Sequence, residues 1–143
     1  MENVTSQLPL SALTLLPHRP PMILVDQLVE FEVGQGRVSA TVDAKDLFVT
    51  QDGTLESVVL IELVAQSYAT IKGYADLINQ RSVQRGFLVG SRTFKVLRCP
   101  HVGESLMIDI TTVAELDSFS VINGVIRVGD EVIAEGSVKL WLP

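Results

Sequence analysis

The chain has 143 residues, 47% apolar and 20% charged, which suits one domain with a well-filled core. Its net charge of −6 argues against general nucleic-acid binding. A single cysteine, Cys99, excludes an intramolecular disulfide and a cysteine-based metal cluster, and reads as a small residue near a strand end.

The opening "MENVTSQLPL" has neither the basic start nor the apolar run of a signal peptide. The longest apolar stretch, Val58 to Ile71, is too short and too polar to span a bilayer. A soluble cytoplasmic protein with no membrane contact is expected. A short helical piece is expected around Ser11 to Leu16, then a strand from Met22 to Val33. "GQG" is a turn. In "RVSATVDA" the residues Val38, Ala40 and Val42 alternate with polar ones, at strand period. From Leu55 to Asn79 the period becomes helical, and a helix of about 24 residues would be roughly 36 Å long. Four strands follow: "RGFLVGSRTFKVL", "ESLMIDITTVAEL", "SFSVINGVIRV" and "EVIAEGSVKLWL". Turns at Asp117 and at Gly129–Asp130 join the last three.

Two strands, one helix and four strands with short turns imply a single antiparallel sheet. The helix is apolar on most of its circumference, so the sheet should enclose it. A six-stranded antiparallel sheet wrapped round one long helix is the α+β hotdog arrangement, here as one domain over residues 1–143. One helix against one sheet leaves an apolar flank, and a second copy would complete the core.

Within that helix lies Glu62, in "VVLIELVAQ". Carboxylates are seldom buried without a partner. Projected at 100° per residue, Glu62, Gln66, Ala69 and Gly73 share one stripe, polar then small, along which another group could approach closely. Gln66 can hydrogen-bond the carboxylate or a ligand. A carboxyl group in an enclosed site suits general acid chemistry. A solvent-facing or arginine-paired glutamate is the plainer alternative. No nucleophile motif and no phosphate loop is present, so Glu62 is the leading catalytic candidate. Five of the 11 basic residues, Arg81, Arg85, Arg92, Lys95 and Arg98, fall between Leu77 and Gly103 with no acidic residue among them. They read either as solvated positions or as a patch for an acidic partner.

Several segments resemble 3-hydroxyacyl-carrier-protein dehydratases of the FabA/FabZ type. "LLPHRPPMILVD", residues 15–26, is similar to their opening. "VVLIELVAQ" is similar to their central helix, and "FLVGSRTFKVLRCPHVGESL", residues 87–106, to their third strand and its exit. "GDEVIAEGSVKL" is similar to their last hairpin. The resemblance implies a hotdog dimer with two interface sites and no cofactor or metal. It also implies a hydro-lyase reaction of fatty acid or polyketide biosynthesis on an acyl-carrier-protein or acyl-CoA thioester. By position Glu62 is the family's acid. Gln66, Ser57, Phe48 and Gly90 fall at substrate-binding positions, Ser57 through its backbone N–H. The family's proton-abstracting histidine, fourteen residues before the glutamate, is Phe48 here, and the prolines of its loop are missing. Asp52 and His101 are substitute bases to consider, and His18 matches a histidine the family does not use for proton abstraction. The basic segment would receive the acidic carrier protein.

"PHRPPM", "IELVAQ" and the missing loop are most similar to a divergent ApeP-like branch, some of whose members resemble helper subunits of a histidine-bearing dehydratase. The family takes the histidine and the carboxylate of each site from different subunits, so a homodimer would lack the base and a heterodimer with a histidine-bearing homologue would regain one site. Two other readings stand beside this one: a hotdog thioesterase using Glu62 alone, and a non-catalytic acyl-binding or assembly subunit.

Overall fold

The computed structural model of the protein describes residues 8–82 and 86–142. The elements in chain order are β1 (Leu10–Ser11), α1 (Ala12–Leu15), β2 (Gln27–Glu32), β3 (Gln35–Thr41), α2 (Val59–Ile78), β4 (Phe87–Val96), β5 (Ser105–Leu116), β6 (Phe119–Val128) and β7 (Glu131–Trp141). The strands form one antiparallel sheet in the order β1-β2-β3-β5-β6-β7-β4, and α2 packs along its inner face. This is the hotdog fold, with seven strands where six are expected from sequence. The additional one is the two-residue β1, which pairs Leu10 with Leu28 and Ser11 with Gln27.

Alternation along the strands determines which face holds the helix. Val38 and Ala40 of β3, Leu106, Ile108 and Ile110 of β5, and Ile122 and Ile126 of β6 are buried at every second position. They meet Leu60, Leu63 and Val64 of α2. Each such valine, leucine or isoleucine side chain contributes about 1.5–3 kcal/mol on burial. Two glycines let the helix sit close. A Cβ on Gly124 would lie 2.6 Å from Val64 Cγ1, and one on Gly36 would lie 2.8 Å from Ile71 Cδ1. No Cβ fits at either position without a shift, so the sheet curls round the helix at these two points.

Two boundaries depart from expectation, each for a visible reason. The strand expected from Met22, β2, begins at Gln27. Backbone groups of Met22 and Leu24 are bound by the Gln66 side chain, not by a neighbouring strand. The helix begins at Val59 rather than Leu55, because the residues before it are tied elsewhere. Leu55 N–H donates to Pro100 O at 2.9 Å and Glu56 N–H to Phe48 O at 3.0 Å. Among the described residues, no helix is long and apolar enough to cross a membrane.

Candidate active site

Glu62 sits in the first turn of α2, half-buried, where the helix dipole favours negative charge. One turn later Gln66 is almost wholly buried, with 2% of its surface exposed. Its Oε1 accepts the Leu24 N–H at 2.8 Å. Its Nε2 donates to Met22 O at 2.9 Å and to Glu62 Oε2 at 2.8 Å. The Leu24 N–H needs an acceptor, so the amide oxygen must face that way. The amide nitrogen is therefore turned to Glu62 and can only donate to it. Gln66 thus orients the carboxyl group through Oε2 and leaves Oε1 for another partner.

The two residues line a cavity of about 240 Å³ between α2, the start of β4 and the end of β7. Ala65 and Ala69 give it width on the helix side, and Leu88, Leu140 and Leu142 face them. Gly73, the last member of the predicted stripe, lies outside. A Cβ there would stand 2.6 Å from the Leu15 carbonyl oxygen, so this glycine admits the backbone of α1 and not a ligand. His18 and Lys72 also line the cavity, and neither follows from the stripe. His18 is placed by the crossing of residues 15–24 over α2, whereas Lys72 belongs to α2 itself, three residues after Ala69. The chain runs from Leu15 at Gly73 to Leu24 at Gln66, which carries His18 past the middle of the helix. The "PHR" motif marks His18 in the sequence, but only the crossing reveals its cavity position.

The other candidate residues lie apart from this cavity within the chain. Phe48 is partly buried against the hydrophobic core, beneath the loop that leads to α2. Ser57 is exposed just before the helix, and its carbonyl accepts the Leu60 N–H at 3.1 Å. Gly90 is exposed on β4 and borders a separate groove of about 410 Å³ on the outer face, with Phe119, Val138 and Lys139.

The two substitute bases have ties of their own. Asp52 is exposed in a turn and accepts hydrogen bonds from the hydroxyls of Thr50 and Thr54. The Thr50 hydroxyl above all, then that of Thr54, holds its carboxyl below the usual range, which weakens it as a base. His101 is exposed, and its backbone N–H donates to Glu104 Oε1 at 2.8 Å.

The basic segment divides on inspection. Arg98 forms a two-pronged pair with Glu104, at 2.9 and 3.0 Å, and bonds Glu131 at 2.9 and 3.0 Å. Arg81 Nε lies 3.1 Å from Asp76 Oδ1. Lys95 is exposed on β4. The Arg92 position lies within β4, and Arg85 lies outside the described residues.

Comparison with known proteins agrees with this fold. The chain is similar to the FabZ 3-hydroxyacyl-[acyl-carrier-protein] dehydratase of Anaeromyxobacter sp. (strain K), 27% identical over 133 residues that cover 90% of this chain and 85% of that protein. In fold it is similar to a chain of the dehydratase heterocomplex ApeI:P from Xenorhabdus doucetiae. The TM-score there is 0.88, with 24% identity and coverage of 94% of this chain and 91% of that one. It is also similar to smu.793 from Streptococcus mutans UA159, solved with acetyl CoA, with a TM-score of 0.68, 16% identity and coverage of 90% and 95%. The family model described as ApeP-like, ApeP dehydratase, matches residues 10–143. With the hotdog sheet, the helix glutamate and a match over nearly the whole length, the chain belongs to the ApeP-like dehydratase family.

Proposed function

We propose that this chain is the carboxylate-bearing subunit of a 3-hydroxyacyl-carrier-protein dehydratase, and that it borrows the proton-abstracting histidine from a homologous partner. One observation carries the reading. Glu62 is held in a cavity by a buried glutamine, while the position of the family histidine is Phe48, packed against the core. The heterocomplex named for the structural relative supports a mixed assembly.

In the dehydration, a base removes the proton from the carbon next to the thioester carbonyl. Those electrons form the double bond to the next carbon, and the hydroxyl leaves from it as water. The leaving oxygen needs a proton, and Glu62, whose Oε1 is not used by Gln66, is the group proposed to deliver it. The departing water then carries the oxygen out of the site. The Ser57 N–H, which lies apart from the Glu62 cavity within one chain, is the donor proposed for a thioester carbonyl bound across the subunit interface. Phenylalanine cannot act as a base, and general acid–base catalysis is worth about 10²–10⁴-fold. The chain alone is therefore expected to turn over weakly or not at all. The acidic carrier protein is proposed to approach β4, where Lys95 is exposed.

Reconstitution tests this. The chain is mixed with a histidine-bearing homologue whose own helix carboxylate is replaced by alanine. Activity that returns with the mixture and disappears with Glu62→Gln supports the composite site. Robust hydration and dehydration by this chain alone overturns it and directs attention to Asp52 and His101. Release of free thiol from acyl-CoA, with no enoyl product, would favour a thioesterase.

A further inference from the structure

The cavity that holds Glu62 has a charged far end. Along α2 the lining residues run Glu62, Ala65, Gln66, Tyr68, Ala69 and Lys72. At 1.5 Å per residue, Glu62 and Lys72 are about 15 Å apart along the helix axis. The groove goes no further, because the backbone of Leu15 lies directly on Gly73. Between its two ends the helix offers Ala65, Gln66, Tyr68 and Ala69, and Leu140 and Leu142 stand opposite.

Lys72 is not a loose surface lysine. Its Nζ lies 3.0 Å from Asp76 Oδ1, and Arg81 Nε lies 3.1 Å from the same oxygen. The Asp76 side chain is only 3% exposed, and its Oδ2 is buried with no hydrogen-bond partner among the described residues. A buried carboxylate in that state depends on its two cations for compensation, so moving either one is costly. The ammonium is thereby held at the end of the cavity.

We propose that Lys72, fixed by Asp76, is the stop that sets the longest acyl chain the cavity accepts. This rests on the dehydratase reading above, with the acyl chain whose 3-hydroxyl meets Glu62 running on into the same cavity. Methylenes passing the alanines and leucines leave water for apolar walls. A methylene that reaches Lys72 meets a charged group, and displacing that group would expose the Asp76 carboxylate. Affinity should therefore rise with chain length and then break.

The test uses saturated S-alkyl coenzyme A thioethers of increasing length, with binding measured by calorimetry on the purified protein. These ligands can be neither hydrolysed nor dehydrated, so the break is read whether or not the chain is catalytic. The wild type is expected to gain about fourfold in affinity per methylene up to a limit, then level off or weaken. Lys72→Met keeps the stem, removes the charge and should move the break to longer chains. Lys72→Arg should keep it near the wild-type length, and thermal melting checks that both variants fold. A break at the same length in wild type and Lys72→Met overturns the proposal, as does affinity independent of chain length. Failure of the reconstitution above, with the break intact and moved by Lys72→Met, would overturn the dehydratase reading alone.

Discussion

Gln66 uses both amide hydrogens and one lone pair on three different partners, so at the residue scale it is the most constrained side chain near the site. Replacing it with leucine preserves bulk and removes all three bonds. The partly buried Leu24 N–H and the carbonyl of the more exposed Met22 would then lack a protein partner, and an unsatisfied group that water cannot reach costs about 1–3 kcal/mol. Gln66→Leu is expected to lower stability by about 2–4 kcal/mol, read as a lower urea midpoint with an unchanged slope. An unchanged midpoint would show that water replaces the amide at no cost. The same substitution frees Glu62, so activity in the reconstituted complex should fall further than occupancy of folded protein does. Glu62 and Gln66 were legible from their four-residue spacing alone, since that spacing places two side chains together on any helix. His18 and Lys72 were not. His18 reaches the cavity because a distant segment crosses α2, and Lys72, next to Ala69 on the helix, becomes cavity lining only because strands roof that face.

At the scale of elements, Arg98 ties three of them. It follows β4, and its carboxylate partners are Glu104, just before β5, and Glu131, which begins β7. The Arg98 guanidinium, then the His101 N–H, holds the Glu104 carboxyl down to about 2, against an ordinary value of 4.5. The folded form thus binds a proton less readily than the unfolded chain. The stabilisation is present above pH 4.5 and is lost as the pH falls toward 2. Both partners are partly exposed, so solvent screening keeps the contribution to about 1–2 kcal/mol. Glu104→Gln should lose this increment at pH 7, and the gap between variant and wild type should close in acid unfolding below pH 4. A gap constant across that range would show that the pair contributes nothing through charge. Read as a run of like charges, Arg98 invited a role in docking. Its carboxylate partners lie six and 33 residues further on, and only the pairing of β4 with β7 brings the second within reach. The strands themselves were legible because alternation survives any packing. The edges of β2 and α2 were not, because side-chain and loop hydrogen bonds replaced the ladder there.

At the scale of the whole molecule, the chain is incomplete along β4. Among the described residues this strand is the last in the sheet, paired with β7 on one side and with no strand on the other. Successive residues of a strand point to opposite faces. Yet Phe87, Leu88 and Val89 are 47%, 42% and 54% exposed, so neither face of the strand is covered at its start. Trp141 and Phe119 extend the apolar surface beside it, both more than a third exposed. An apolar edge of this length is a pairing site unless charge, proline or a covering element protects it. Phe87 and Leu88 also wall the Glu62 cavity, so a partner on this edge would close the site at the same time. The purified chain is therefore expected to be a dimer, with itself when alone and with a histidine-bearing homologue when the two are expressed together. Val89→Lys places a charge on the edge and should give a monomer with a nearly unchanged melting profile in dilute solution. Sedimentation velocity checks both expectations. A monomeric wild type, or a Val89→Lys protein that still sediments as a dimer, would mean that the partner approaches elsewhere. The cavity would then remain open along β4, and Glu62 would need its second catalytic group from its own chain.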